Sequence, residues 1–139
     1  MKMKAPITRP LKCGQFELLF PYDEICFLGD RSWHVRIYPR FIFDGASIPW
    51  WGWSALRLTP MDAKLQAPAL IHDWFFTSQV LERLTVDQIF YEDLKRQGIG
   101  WTRRNIMYRA VRTGGGRVWN RHTPESIAVG RSFGEIKEV

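Results

Sequence analysis

The spacing of hydrophobic positions divides the chain into a first part with a strand pattern and a second part with a helical pattern. In Trp33–Ile37, apolar and polar residues alternate with period two, as expected for a strand with one solvated face. Further short apolar runs, each followed by turn residues, predict strands at 16–20, 25–28 and 40–43. The pattern therefore predicts one small antiparallel sheet within about residues 15–45.

From residue 61 onward the hydrophobic positions follow a helical period. The first helical stretch is apolar on nearly all sides, which predicts that this helix is buried. The two later stretches each have one apolar face. Three helices are therefore predicted, at about residues 68–77, 85–97 and 102–113. A sheet followed by helices indicates an α+β fold.

Particular residues predict where these helices begin and end. Pro68 suits the first turn of a helix, where its missing N–H is not needed. Thr85 and Gln88 have the spacing of a capping box, which places a helix start at Thr85. Gly98 is expected to close that helix in the left-handed conformation. Three consecutive glycines at 114–116 predict the end of the third helix.

With 139 residues, the chain fits a single domain that can bury its own core. The N-terminal arm (residues 1–14) and the C-terminal tail (residues 117–139) lie outside the predicted elements, and we expect partners to order them. Apolar runs stay well below the ~18 residues of a membrane span. Residues 1–10 are basic but have no apolar stretch behind them, so we expect no signal peptide.

Aromatic and basic residues predict a contact surface for other proteins. Three tryptophans within four positions, Trp50, Trp51 and Trp53, cannot all point into one core, because neighbouring positions face different sides. An exposed tryptophan cluster is typical of a protein interface. Arg109 and Arg112 are expected to add contacts by charge. The net charge of +6 also permits nucleic acid, but a solvated helix face explains the arginines equally well, so we expect protein partners, with self-association as an open alternative.

The His72-Asp73 pair in the first predicted helix is the main candidate for chemistry. Adjacent helical residues point about 100° apart, so the two side chains could serve as a catalytic base and a metal-binding carboxylate. A buried Asp73 needs a partner, because an unpaired buried carboxylate is costly. Asp87, at the inner face of the next helix, is the natural partner for His72. The alternative is that these residues only cross-link neighbouring elements.

The segment Asp44-Gly45-Ala46-Ser47-Ile48-Pro49 predicts a rigid loop directly after a strand. Gly45 permits unusual dihedral angles, Ser47 can bond to the local backbone, and Pro49 fixes the exit of the loop. Asp44 and Asp73 could together bind a cation. Because the available donors are oxygens, the expected ion is calcium. The alternative is a tight structural corner without a ligand.

An ordered set of motifs resembles an uncharacterised family, domain of unknown function 1353, found mostly in tailed phages and prophages. The matching motifs, across residues 15 to 120, are Asp44–Pro49, Pro68–Asp73, Asp87 with Phe90, Met107–Arg112, and Trp119. The resemblance implies a phage protein that is made in the host cytoplasm. Together with the aromatic excess, it favours a virion or assembly protein of the tail, tail tip or neck. Its partners would be other phage structural proteins, and it would be incorporated in the virion.

The His-Asp pair also gives the chain a fainter similarity to secreted phospholipases of the A2 class. That resemblance implies that His72 activates water, that Asp73 binds calcium and that Asp87 orients His72. The loop around Gly45 would supply carbonyl oxygens to the ion. The alternative function is therefore a metal-assisted hydrolase that acts on lipid or on the cell envelope.

Overall fold

The computed structural model describes residues 2–45, 48–55 and 62–139. Within these residues lie six strands and five α-helices, together with one 3-10 turn at Lys12–Gly14. The strands are β1 (Thr8–Pro10), β2 (Phe16–Leu18), β3 (Tyr22–Leu28), β4 (Arg31–Ile37), β5 (Ile42–Phe43) and β6 (Gly134–Glu138). The helices are α1 (Trp50–Ala55), α2 (Gln66–Ser78), α3 (Arg83–Arg96), α4 (Trp101–Arg121) and α5 (Pro124–Ser132).

The strands form two antiparallel sheets of three strands each, with the orders β1-β2-β5 and β3-β4-β6. The α+β class and the antiparallel pairing are confirmed, whereas the prediction of one sheet and three helices is wrong. Strand β4 pairs with β3, where Cys26 lies opposite Trp33, and with β6, where Ile136 lies opposite Val35. Strand β6 has one apolar residue among charged ones, so its hydrophobic pattern is too weak to predict a strand.

The core surrounds α2, which packs against α3, α4, α5 and β5. Every residue from Ala67 to Phe76 is buried, so all sides of this helix are covered and the prediction of a buried helix is confirmed. Helix α5 approaches α2 closely, and the Trp74 indole donates to the carbonyl of Gly130 at 3.0 Å. No helix in the described ranges combines the length and the apolar character needed to cross a membrane.

Helix α4 continues through the three glycines, so the predicted end at residues 114–116 is wrong. The missing side chains allow close packing with segments distant in sequence. A Cβ on Gly114 would lie 2.1 Å from Cγ of Pro49, and a Cβ on Gly115 would lie 3.2 Å from the ring of Phe76. This packing offsets the cost of about 1 kcal/mol that glycine carries inside a helix.

The two ends of α3 differ in how well they were predicted. The helix begins two residues before Thr85, and its N-cap Glu82 makes no capping hydrogen bond through its side chain, so the predicted capping box is wrong. The C-terminal prediction is confirmed. Gly98 has a φ of 78°, and the Ile99 N–H donates to the carbonyl of Leu94 at 3.1 Å, which closes the helix in a Schellman motif.

Contacts within the chain hold both the N-terminal arm and the C-terminal tail. The Met3 N–H donates to Oε1 of Gln97 at 3.0 Å, and the hydroxyl of Tyr22 donates to the carbonyl of Lys4 at 2.9 Å. The tail contributes the last part of α4, all of α5 and the strand β6. Ordering by partners stays a prediction, and it would act on segments that already belong to the fold.

Candidate functional site

A buried network of charged side chains joins α2, α3 and α4. Nε2 of His72 lies 2.8 Å from Oδ1 of Asp87, which confirms the predicted pairing of these residues. The other oxygen of Asp87, Oδ2, accepts a hydrogen bond from Nη1 of Arg112 at 2.7 Å and lies 3.7 Å from Nε of Arg83. The side chains of His72 and Asp87 are 1% and 0% exposed. The Asp87 carboxylate is therefore buried with three polar partners, as a buried charge requires.

Aromatic rings hold the imidazole of His72 in place. Its ring centroid lies 4.5 Å from that of Phe76, one turn later on α2, and 4.7 Å from that of Phe90 on α3. On the far side of the network, Nη2 of Arg83 donates to the carbonyls of Val111 at 2.9 Å and Arg112 at 2.7 Å. The network therefore fixes the middle of α4 against α2 and α3.

Asp73 faces the loop that follows β5, as predicted. Its Oδ2 accepts hydrogen bonds from the backbone N–H of Asp44 at 2.9 Å and of Gly45 at 2.8 Å. Gly45 has a φ of 72°, a conformation that favours glycine. Burial, and then the nearby Asp44 carboxylate, raise the pKa of Asp73 to about 6, although the two N–H donors act in the opposite direction. Asp73 thus ties the start of the loop to α2.

The assignment of Asp44 and Asp73 as calcium ligands stays a prediction. In the described part of the chain, no group of three or more His, Cys, Asp and Glu side chains is placed to hold a metal ion. A calcium site there would need its remaining ligands from backbone carbonyls or water. Ser47 lies outside the described residues, while Pro49 packs against Gly114 as part of a close structural contact.

A cleft of about 400 Å³ opens beside the loop, lined in part by Asp44 and Asp73. The junction of α4 and α5 contributes Arg121, His122 and Ser126 to the lining, and the hydrophobic pattern of the sequence did not single these residues out. Burial, and then the charge of Arg121, lower the pKa of His122. The described lining of this cleft includes Asp44 and Asp73 but not His72. The predicted metal ligands therefore face a cleft, whereas the His72–Asp87 pair is buried.

The predicted contact residues differ in how far they are exposed to solvent. Trp50 and Trp51 in α1 are 77% and 41% exposed, and Arg109 is also exposed. The side chain of Trp53 lies outside the described part of the structure. Arg112 binds Asp87 in the buried network, so its main contact is internal.

Helix α4 begins with a further exposed tryptophan that the sequence reasoning missed. Trp101 is 68% exposed, and it lines a small hollow of about 180 Å³ together with Arg109. The sequence did hold a sign of this exposure, because Trp101 lies between the Gly98 helix end and the first turn of the next helix.

Comparison with known proteins places the chain in a family. A sequence profile described as "Protein of unknown function (DUF1353)" matches residues 22–111, which is more than half of the chain. The chain belongs to the DUF1353 family. The matched region runs from β3 into α4 and includes His72, Asp73 and Asp87, while Arg112 lies just beyond it. Searches of curated proteins and of solved structures found no match.

Proposed function

We propose that this protein is a phage-encoded virion or assembly component, of the tail, tail tip or neck, that acts through contacts with other phage structural proteins. The exposure of Trp50 and Trp51 carries the proposal. Tryptophan is among the residue types that dominate binding energy at protein interfaces, and two neighbouring exposed indoles are expensive to leave in water. The resemblance of the motifs to phage and prophage proteins, an expectation from the sequence, suggests the biological context.

The contacts of α1 support a role in presenting these tryptophans. A Cβ on Gly52 would lie 3.0 Å from Cβ of Ala110, and the neighbouring Pro49 packs on Gly114. Helix α1 and the preceding Pro49 therefore pack on small residues of α4. The His72–Asp87–Arg112 network fixes that part of α4. The helix that carries the exposed indoles therefore packs on a rigid part of the fold. A rigid surface loses little conformational entropy when a partner binds.

Mass spectrometry of purified phage particles tests the proposal. Particles would be prepared from a host that carries the gene and from a matched strain in which the gene is deleted. We expect peptides of this protein in gradient-purified particles, or in isolated assembly intermediates, from the first strain only. Absence from both, together with a purified protein that stays monomeric and binds no particle component, would contradict the proposal.

A calcium-dependent hydrolase is the second candidate, because the His72–Asp87 distance of 2.8 Å and the position of Asp73 at the loop fit the layout of a phospholipase. Two observations favour the structural role. Arg112 is bound to the carboxylate that would stabilise a charged histidine, and His72 is 1% exposed, whereas a general base must reach its water or substrate.

Two assays separate this candidate from the main proposal. The first measures hydrolysis of phospholipid vesicles and of cell-envelope material with calcium or with chelator. The second is a calorimetric calcium titration of wild type and Asp73→Asn. The main proposal expects no calcium-dependent turnover. Calcium-dependent turnover that is lost in His72→Gln, with calcium binding lost in Asp73→Asn, would instead establish the hydrolase.

A further inference from the structure

Helix α4 has an unusual balance of charge. Its sequence contains six arginines and no acidic residue. Two of them serve the fold, since Arg112 binds Asp87 at 2.7 Å and Nε of Arg104 donates to the hydroxyl of Tyr91 at 3.0 Å. The other four are exposed, and their guanidinium groups make no hydrogen bond or ion pair with any residue that the structure describes: Arg103, Arg109, Arg117 and Arg121.

These four arginines share one side of the helix. At about 100° per residue they fall within roughly 120° of its circumference, and from first to last they span about 27 Å. Thr113 and Asn120 lie in the same sector and are also exposed. We call this surface the basic face of α4. Arg117 and Arg121, one turn apart, repel each other, because like charges at this spacing destabilise a helix.

Exposed aromatic side chains border the basic face. Gly52 of α1 packs on the buried Ala110, which lies in the same sector of α4, and Pro49, just before α1, packs on Gly114. Helix α1, with Trp50 and Trp51, therefore covers part of the middle of the face. At the other end, Trp101 and Arg109 line one hollow. Arginine and tryptophan are among the residue types enriched at interface hot spots, and here Trp101 and Arg109 lie side by side.

We propose that the basic face of α4 docks on an acidic surface of a partner protein, with carboxylates paired to the arginines and an apolar pocket for a neighbouring indole. This inference rests on the proposed function and names the chemistry of the partner. Arginine suits carboxylates because its planar group donates two parallel hydrogen bonds. Nucleic acid fits less well, because a protein that grips a duplex commonly neutralises about 6–10 phosphates, and α4 offers four exposed arginines and no lysine.

Site-specific photo-crosslinking in the phage-producing host tests the inference on the full-length protein. A benzoylphenylalanine replaces Thr113, at the centre of the basic face, and in separate proteins it replaces Trp51 or, as the control, the exposed Asp30 of the β3–β4 turn. Adducts are identified by mass spectrometry. We expect an adduct at position 113 with a protein segment rich in Asp and Glu, and none at position 30.

Charge variants decide whether the arginines make the contact. The double reversal Arg109→Glu with Arg117→Glu should reduce the adduct at position 113 by about tenfold or more, and Arg109→Lys with Arg117→Lys should retain most of it. A nucleic-acid adduct, a partner segment without excess acid, or indifference to the reversal would each overturn the inference. If position 51 still forms adducts in those cases, the proposed function survives. Absence of adducts at both positions would defeat both proposals.

Discussion

Asp93 should make the stability of this protein fall as the pH rises through neutrality. The side chain is 1% exposed, and neither carboxylate oxygen has a hydrogen-bond partner in the described structure. The nearest cation is Arg96, whose Nη1 lies 3.6 Å away. Burial is the main cause that raises the pKa of Asp93 to about 8 from an ordinary value of 3.8; the charge of Arg96 lowers this pKa, and the nearby Glu24 raises it.

The sign follows from proton binding. Because the pKa is higher in the folded state, the folded protein binds the proton more tightly than the unfolded chain. The contribution to stability is therefore fully present below about pH 4 and is lost as the pH rises toward 8. Over this window the loss is about 1.4 kcal/mol per pH unit, or ~4 kcal/mol by pH 7. That is a large share of the 5–15 kcal/mol that is typical of a folded domain.

Asp93→Asn tests this prediction, because the amide has the same shape and does not titrate. Free energies of unfolding would be measured by urea denaturation at about pH 6, 7 and 8. Relative to the variant, the wild type should lose roughly 2 kcal/mol between pH 6 and pH 8, because the carboxyl is already half ionised at pH 8. The control is Asp30→Asn in the exposed β3–β4 turn, which should leave the slope unchanged. Parallel pH profiles for wild type and Asp93→Asn would refute the reasoning.

Further substitutions test the packing and the loop anchor. Gly130→Ala would place a Cβ 2.3 Å from Cγ2 of Thr77 and 2.7 Å from its backbone carbon, so we expect a loss of ~3 kcal/mol in thermal or urea unfolding. The control is Gly100→Ala, where a Cβ would meet no atom within 4 Å, and it should cost under about 1 kcal/mol. Equal losses of stability in Gly130→Ala and Gly100→Ala would contradict the close packing of Gly130 on Thr77. Asp73→Ala leaves the N–H groups of Asp44 and Gly45 without their acceptor and should cost ~2 kcal/mol, whereas Asp73→Asn keeps an oxygen there and should cost less. Equal losses for the two Asp73 variants in urea unfolding would show that the negative charge, rather than the acceptor oxygen, holds the loop.

The features that could be predicted from sequence are those with a local physical signal. The all-round apolar pattern of α2 reflects burial on every side, and Gly98 closes α3 in a conformation that glycine favours. The pairing of His72 with Asp87 was predictable because an acid at the inner face of one helix needs a partner on the next.

The features that could not be predicted depend on residues distant in sequence. The glycines within α4 predict a helix end when the sequence alone is considered. The structure shows that Pro49 and Phe76 occupy the space where side chains on Gly114 and Gly115 would lie. Strand β6 acquires its role only because the tail returns to pair with β4. Likewise, Arg112 was expected at the surface, because the sequence does not reveal that Asp87, 25 residues earlier, lies within hydrogen-bonding distance of it.

The central proposal is that this protein joins phage particles through the surface formed by Trp50 and Trp51. Quantitative incorporation into particles tests it most directly. A phage strain lacking the gene would be complemented with wild type, with Trp50→Ala/Trp51→Ala, or with Phe20→Ala, another exposed aromatic residue, as the control. Circular dichroism and thermal unfolding would first establish that each variant folds. We expect the tryptophan variant to be incorporated at least about tenfold less than wild type, and the Phe20 variant to match wild type. Equal incorporation of all three proteins would contradict the claim that this surface binds the partner.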